Sequence, residues 1–346
     1  MHIPEPDIAQ KTQPQAGNRP ELTDKFGRRL NYLRLSVTDR CNFRCVYCMP
    51  ENGMDFAAGP VLLSFEELYR LSRIFCGLGV DTLRITGGEP FIRKGLLPFL
   101  EKISGLEGLK EIKITSNGAF WEKDLERLKQ TGIRKINISL DALDPERFYQ
   151  ITRRNSFERV YAGIFRLLEK GFELKLNCVV MAGRNTEDIL PLIGLTQDYA
   201  ISVRFLEEMP FNGSSSFIRS WDYKDIYAHI SRHHPHIEKL EDGENATATN
   251  YKIRGHRGSF GIIPAYSRTF CGTCNRIRLS ATGELRTCLY GAPAADLRQL
   301  LRSGADDAAV ETAIRDAVSR REKDGLAAEA SGRQNPVHAS MSVLGG

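Results

Sequence analysis

Cys41, Cys45 and Cys48 follow one another as C-x-x-x-C-x-x-C, directly behind a strand-like run, Tyr32–Val37. Soft thiolates suit iron–sulfur clusters and zinc. At this spacing three thiolates can hold three irons of one cube and leave the fourth without a protein ligand, and an open iron is a place for chemistry. A structural zinc site asks for four protein ligands; this loop offers three, with no histidine near it. A zinc ion completed by a distant residue, or three unrelated buried thiols, are the other readings of the motif taken alone. A second set repeats the pattern: Cys271 and Cys274 flank Gly272-Thr273, Cys288 follows, and again there is no fourth. A zinc ribbon would need another pair, so a second cluster with one open iron is the sharper reading. Arg276 and Arg278 lie between these cysteines on alternate positions, which share one face of a strand and set two guanidinium groups beside the metal. Arginine suits forked contacts to phosphate or a base edge.

These side chains need elements to hold them. From residue 30 to about 210 strand-like and helix-like runs alternate. The strands are Tyr32–Val37, Thr82–Thr86, Glu111–Thr115, Lys135–Leu140, Leu174–Val180 and Ser202–Leu206; the helices are Ser64–Cys76, Leu96–Ile103, Lys123–Gln130, Phe157–Glu169 and Thr186–Tyr199. Ser64 followed by Glu67 has the form of a capping box. Such alternation gives an α/β fold with a parallel sheet, and six units are too few for a closed eight-stranded barrel. The polar residues gather just behind the strands: the cysteine loop, Gly87-Gly88-Glu89-Pro90, Ser116-Asn117-Gly118, Asp141 and Glu207-Glu208-Met209. That rim is where βα architectures build active sites. Within the strands, Arg34 with Ser36, Arg84 with Thr86 and Lys175 with Asn177 share faces. Turned inward, they line the lumen with cationic and polar groups, as an anionic ligand requires.

The second half is less regular. Trp221–Ile230 reads as a helix, 251–263 as a short hairpin and 304–323 as Ala-rich helix. His229, His233, His234 and His236 lie on a polar stretch and read as solvated surface rather than metal ligands. Of the eight cysteines, six fall in the two sets, which in a reducing compartment means metal rather than disulfide. Cys76 and Cys178 sit in apolar segments and read as core. The chain has 346 residues, 41% of them hydrophobic, enough for one large domain or two ordinary ones. No apolar run approaches a membrane span, so no membrane association is expected. The first twenty-five residues are polar, without a secretory signal, and read as a flexible leader. A net charge of +5 fits an anionic small ligand or a weak nucleic-acid surface without choosing between them. The terminal Gly345-Gly346, taken alone, is a flexible tail.

An aromatic residue before the third cysteine, Tyr47, and the segment T-G-G-E-P, Thr86 to Pro90, resemble the signature of the radical S-adenosylmethionine superfamily. Asp39–Pro50 (D-R-C-N-F-R-C-V-Y-C-M-P), Leu83–Pro90 (L-R-I-T-G-G-E-P), Cys271–Arg278 (C-G-T-C-N-R-I-R) and the Gly-Gly end together resemble the GTP 3′,8-cyclase family, which opens molybdenum cofactor (molybdopterin) biosynthesis. The last segment departs mildly, with Leu344 where isoleucine is more usual. The resemblance runs from about residue 25 to the end. It implies a partial (β/α)6 TIM-like barrel with a C-terminal extension carrying a second iron–sulfur cluster: leader 1–25, radical SAM barrel 26–215, auxiliary-cluster and substrate region 216–330, and tail 331–346.

It further implies two [4Fe–4S] clusters, on Cys41, Cys45 and Cys48 and on Cys271, Cys274 and Cys288. S-adenosylmethionine meets Tyr47, Gly88, Ser139 and Met209, with Gly88 leaving room for the methionyl group. GTP meets Arg34, Arg84, Thr115, Lys175, Arg276, Ile277 and Arg278. Arg276, Arg278, Gly345 and Gly346 serve catalysis, the tail reaching into the site. A 5′-deoxyadenosyl radical takes hydrogen from carbon 3′ of GTP, the sugar radical closes on carbon 8, and reduction of the cyclised radical by one electron with a proton gives 3′,8-cyclo-7,8-dihydro-GTP. The implied setting is cytoplasmic, with an unidentified electron donor; cyclic pyranopterin monophosphate synthase, the next pathway enzyme, and a homodimer are compatible further partners. The rival readings are a peptide-modifying radical SAM enzyme with an auxiliary cluster and, more distantly, a zinc-stabilised nucleic-acid-binding protein.

Overall fold

In the computed structural model, residues 21–50, 54–119, 124–211, 221–332 and 340–344 are described. The first half runs β1 (Tyr32–Ser36), α1 (Phe65–Gly77), β2 (Thr82–Thr86), α2 (Leu96–Ser104), β3 (Glu111–Ser116), α3 (Asp124–Gln130), β4 (Lys135–Ser139), α4 (Pro145–Thr152), α5 (Phe157–Glu169), β5 (Glu173–Val180), α6 (Ile189–Asp198) and β6 (Ser202–Glu207). Strands β1 to β6 pair in sequence order, all parallel. Local chemistry starts the helices where the sequence places them. The Ser64 hydroxyl accepts from the Glu67 N–H at 3.1 Å and the Glu67 carboxylate accepts from the Ser64 N–H at 2.7 Å, the reciprocal capping box of α1. Helix α4 is absent from the sequence expectation. Asp144 caps it through the Arg147 N–H at 2.8 Å, with Pro145 in its first turn. The expected helix Thr186–Tyr199 begins instead as a 3-10 turn, Thr186–Asp188, before α6.

The second half adds α7 (Tyr223–His233), β7 (Ile237–Lys239), β8 (Thr249–Ile253), β9 (Ser259–Ile263), β10 (Arg276–Leu279), β11 (Glu284–Arg286), β12 (Ala295–Asp296), α8 (Leu297–Arg302), α9 (Asp307–Ser319), α10 (Gly325–Ser331) and α11 (Met341–Leu344). These strands extend the same sheet at both edges. β9 lies parallel to β6 and carries the antiparallel β8 and β7, so the expected 251–263 hairpin is present. β10 lies parallel to β1 and carries the antiparallel β11 and β12. The twelve-stranded order β12-β11-β10-β1-β2-β3-β4-β5-β6-β9-β8-β7 runs from edge to edge without closing.

Alternation along each strand sorts the residues. Leu33, Leu35, Leu83, Ile85, Ile114, Ile136, Ile138, Leu176, Val203, Phe205, Ile277 and Leu279 are fully buried in one apolar core that also takes in residues of the helices. The residues between them turn to the other face and line a cavity. Burial of the apolar face fixes the register, because a slip of one residue would exchange the two sets. In register, Arg278 of β10, Arg34 of β1, Arg84 of β2 and Lys113 of β3 stand side by side on four adjacent strands.

Candidate active site

The first triad lies on the loop behind β1, and the loops behind β2 and β3 hold it. The Gly88 N–H donates to the Thr38 carbonyl at 2.7 Å and the Glu89 N–H to the Arg40 carbonyl at 2.8 Å. A Cβ on Gly88 would stand 2.1 Å from the Arg40 carbonyl oxygen. The glycine is therefore required by the close pairing of two loops, a different reason from the room for a ligand that the sequence suggested. The buried Glu89 carboxylate accepts from the N–H groups of Phe91 at 3.1 Å and Asn117 at 2.7 Å and from the Ser116 hydroxyl at 3.0 Å. It buckles the second and third loops together. Burial pushes its carboxyl up to about 7 although these donors pull it down. From the other side, the N–H groups of Arg44 and Val46 donate to the carbonyls of Thr152 and Ile151 at the end of α4, each at 3.0 Å. The unforeseen helix thus braces the cysteine loop.

Tyr47 lies over the cavity with its hydroxyl donated to Asp141 at 2.9 Å; the other Asp141 oxygen accepts the Val179 N–H at 2.8 Å. Burial raises the Asp141 carboxyl to about 6. Burial also pushes the Cys41 thiol to about 11, Cys48 to about 12 and Cys45 well above the ordinary range. Three such thiols ionise together only against strong positive charge, as a metal cluster supplies.

The second triad brackets the β10–β11 hairpin. Cys271 and Cys274 sit on a 3-10 turn before β10, and Cys288 lies just after β11. Burial raises the thiols of Cys271 and Cys288. Burial would raise Cys274 as well, but Arg321 and Arg276 outweigh it and hold that thiol below its ordinary value. Behind the triad, the Arg268 guanidinium lies 3.5 Å from the Tyr290 ring centroid, donates to the Gly325 carbonyl at 2.9 Å and pairs with Glu329 at 2.9 Å.

Both triads line one cavity of about 700 Å³. The other two thiols, Cys76 and Cys178, are packed in the core, so neither triad has a fourth cysteine. Among the described residues no three His, Cys, Asp or Glu side chains gather to hold a single metal ion. The donor set fits clusters that take one thiolate per iron. Among the described residues, eight lysines and arginines line the cavity against three carboxylates, and two of those, Asp141 and Glu207, are already hydrogen-bonded within the protein. Crowding has a cost. Burial, with Arg278 and Arg84 nearby, lowers Arg34; burial brings Arg278 and Arg204 to about 10 and Lys175 to about 8. Burial alone would raise the Tyr32 phenol, but Arg84 and Arg34 lower it instead. Arg204 Nε, Asn177 Oδ1, Thr86 Oγ1 and Arg276 Nη1 are buried without a hydrogen-bond partner among the described residues. An anion or polar ligand in the cavity would satisfy such groups.

Of the residues singled out from sequence, the six cysteines, Tyr47, Gly88, Ser139, Met209, Arg34, Arg84, Thr115, Lys175, Arg276 and Arg278 all line this cavity. Ile277 does not: its side chain is in the core on the opposite face of β10. Gly345 and Gly346 lie outside the described residues. The segment before them, α11, docks here. Ser340 donates to the Cys48 carbonyl, Met341 and Ser342 line the cavity, and Leu344 is buried with Phe211 and Tyr290. Sequence reading passed over Lys113 and Arg204, which the same alternation would have found, and Arg268, for which no local signal exists. The four singled-out histidines lie on or near α7, away from this cavity.

Residues 35–195 match the Radical SAM superfamily and residues 201–326 match Molybdenum Cofactor Synthesis C. The Arabidopsis thaliana protein named mitochondrial GTP 3′,8-cyclase is 43% identical over 302 residues, 87% of this chain and 77% of that one. The Geobacter sulfurreducens GTP 3′,8-cyclase is 39% identical over 330 residues, 94% of this chain and 100% of that one. Molybdenum cofactor biosynthesis protein 1 of Mus musculus is 42% identical over 304 residues, 87% of this chain and 48% of that one. The chain thus spans about half the length of its curated mammalian relatives. Among solved structures, Streptococcus suis SuiB bound to S-adenosylmethionine is similar with TM-score 0.60 and 16% identity, over 82% of this chain and 67% of that one. The structure of anSMEcpe with bound AdoMet follows at 0.52 and 15%, over 74% of each chain. These two likenesses are of fold alone.

Proposed function

We infer that this chain, which belongs to the GTP 3′,8-cyclase family within the radical SAM superfamily, converts GTP to 3′,8-cyclo-7,8-dihydro-GTP, the first step of molybdenum cofactor biosynthesis. The observation that carries this reading is the meeting of both cysteine triads with a row of in-register cations in one cavity.

The family implies S-adenosylmethionine and a [4Fe–4S] cluster; the second cluster is our proposal. Cys41, Cys45 and Cys48 would hold the first, which when bound supplies one electron to the sulfonium of S-adenosylmethionine. Tyr47, Gly88, Ser139 and Met209 border the space beside this triad and orient that cosubstrate. Arg34, Arg84, Lys175 and the unforeseen Arg204 face the triphosphate, with Thr115 beside them; charge-assisted and forked contacts suit it. Arg276 and Arg278, with the main chain of Ile277, hold the purine end against Cys271, Cys274 and Cys288. Held so, carbon 3′ and carbon 8 of one nucleotide lie between the two triads, and positioning of this kind is the protein's share of a reaction whose hard step belongs to the cofactor. From Leu344, two further residues extend about 7 Å at most, enough for Gly345 and Gly346 to enter the cavity beside it.

An electron donor, the next pathway enzyme and a homodimer are proposed as partners on the family resemblance alone. A cytoplasmic setting is proposed because six unpaired cluster thiols need a reducing compartment. Among the described residues no helix is long and apolar enough to cross a membrane. The test is anaerobic incubation with GTP, S-adenosylmethionine and a reductant, followed by mass analysis. Appearance of 5′-deoxyadenosine with a cyclised nucleotide is expected; 5′-deoxyadenosine without any change in GTP would refute the assignment of substrate.

A further inference from the structure

Arg321 follows α9 and is one of the most buried charged side chains in the molecule, 3% exposed, yet it does not line the cavity. Among the described residues its one carboxylate partner is Asp24, whose side chain is fully buried. Arg321 Nη1 stands 3.7 Å from Asp24 Oδ2, too far for a hydrogen bond. Asp24 is otherwise engaged: Oδ2 accepts from Arg28 Nε at 2.7 Å, and Oδ1 accepts the N–H groups of Phe26 at 2.9 Å and Arg28 at 3.0 Å. Arg321 Nη1 is left without a hydrogen-bond partner among the described residues. A buried guanidinium donor without a partner is costly. Its charge also acts on the Cys274 thiol of the second triad, which is held below its ordinary value.

The arginine cannot easily swing elsewhere. Arg28 donates to the carbonyls of Cys271 at 3.1 Å, Lys323 at 2.6 Å and Glu322 at 2.8 Å. The turn around residues 24–28, the cysteine turn and the segment after α9 are thus tied at one buried point. The first triad has mixed company: the carboxylates of Glu89 and Asp141 lie beside Cys41 and Cys45, and the Arg44 guanidinium donates to the Cys41 carbonyl at 2.6 Å.

We propose that Arg321, held from behind by Asp24, is a positioning residue of the second triad that sets the reduction potential of the cluster bound there. The inference rests on the reading of that triad as a [4Fe–4S] site. Hydrogen bonds to cluster sulfurs and nearby charge tune such potentials. A fixed cation stabilises the more negative, reduced state and raises the potential. A carboxylate at the same point lowers it.

The test is an EPR-monitored redox titration of the full chain, purified anaerobically, with iron counted per chain. The wild type is expected to hold about eight irons in two cubes. Zinc, or no iron, at the second triad would overturn the cluster reading and this proposal with it. Given two clusters, Arg321→Met should shift the second midpoint to lower potential and leave the first unmoved, with Arg321→Lys shifting it less. Arg321→Gln, which keeps a polar side chain and drops the charge, should shift it as far as the methionine variant does. That variant decides the matter if the methionine variant fails to load its cluster. An unmoved second midpoint in variants that retain their irons, or a downward shift in Arg321→Lys as large as in Arg321→Met, overturns the role of Arg321.

Discussion

The two cysteine triads face one cavity but are built in different ways. Cys41, Cys45 and Cys48 belong to a single loop, and that loop is shaped by its neighbours at the carboxyl ends of the central strands: Gly88 and Glu89 from one side, Asn117 from the next, α4 from below. Cys271, Cys274 and Cys288 come from both ends of a hairpin at one flank of the sheet, and their supports are Arg268, just upstream of Cys271, and the sequence-distant Arg28 and Arg321. Carboxylates stand near the first beside the Arg44 guanidinium, and guanidinium groups predominate near the second. The difference fits a division of labour: one site handles a sulfonium cosubstrate at the strand ends, where βα folds make small-molecule sites. The other holds the purine end of an anionic substrate and needs positive charge around it.

The sharpest way to break the comparison is to remove one triad at a time. Cys274→Ala should leave reductive cleavage of S-adenosylmethionine largely intact and abolish cyclisation of GTP, whereas Cys45→Ala should abolish both. Release of 5′-deoxyadenosine and formation of cyclised nucleotide, quantified in the same reaction, separate the outcomes. Normal cyclisation by Cys274→Ala would remove the second triad from the chemistry.

A milder contrast uses two glycines, one beside each triad. Gly88→Ala places a Cβ 2.1 Å from the Arg40 carbonyl oxygen, so the loop behind β2 and the cysteine loop must part. Gly272, inside the second triad, has nothing within 4 Å of its would-be Cβ. Gly88→Ala is therefore expected to lose the first cluster, about half the iron if both sites load cubes, and to cost about 1–3 kcal/mol of stability. Gly272→Ala should keep iron and activity. Iron analysis with thermal melts of both variants checks this, and equal behaviour of the two would mean that the loop pairing does not shape the first site.

Much of this arrangement was legible before any coordinates. The cysteine spacing marks both triads, and period-two alternation sends Arg34, Arg84, Lys175, Arg276 and Arg278 to one face while Leu33, Ile85 and Leu176 go to the other. What could not be read is whatever depends on contacts between distant segments. Nothing local says that Arg276–Leu279 pairs with Tyr32–Leu35, the pairing that brings Arg278 beside Arg34. Arg321 stands in S-R-R-E-K-D, a run that looks like solvated surface, and only the tertiary fold buries it. Helix α4 was missed for a different reason: it is short and mostly polar, and its signal is a cap, Asp144-Pro145, rather than a long apolar period. Ile277 joins the substrate set with its motif neighbours Arg276 and Arg278, but parity puts its side chain on the core face.

The cationic half of the cavity can be probed by pH. Burial brings Lys175 to about 8, with Arg204 and Arg84 adding to the effect. The amine is charged below that value and neutral above it, so its contribution to holding a triphosphate is present at lower pH and fades as pH rises through about 8. A hydrogen bond to a charged group is worth about 1.5–3 kcal/mol, so GTP affinity should fall by at least about tenfold. Lys175→Arg keeps its charge across this range and should flatten the profile. Equilibrium dialysis of GTP from neutral to alkaline pH measures it, and a wild-type profile identical to that of the arginine variant would take Lys175 out of the triphosphate site. Affinity for S-adenosylmethionine, on the carboxylate side, should not follow the same curve.

The smallest expected effect falls on the first side. Tyr47 keeps its ring in place by donating its hydroxyl to Asp141, a carboxylate that is itself tied to the Val179 N–H. Tyr47→Phe preserves the ring and deletes one hydrogen bond, leaving a buried carboxylate oxygen without that donor. Net hydrogen bonds are worth about 1 kcal/mol, which is about fivefold in an equilibrium constant. The KM for S-adenosylmethionine should rise by about that factor while the KM for GTP and the ratio of cyclised nucleotide to 5′-deoxyadenosine stay near wild type. A change confined to GTP would place Tyr47 on the substrate side of the cavity instead. Equal changes in both would mean that the hydroxyl supports the loop as a whole rather than the orientation of one ligand. Asp141→Asn, whose amide oxygen can keep the Val179 N–H while its NH2 donates to the Tyr47 oxygen, holds the ring but removes a negative charge: if placement is what matters, it should behave closer to wild type than Tyr47→Phe does.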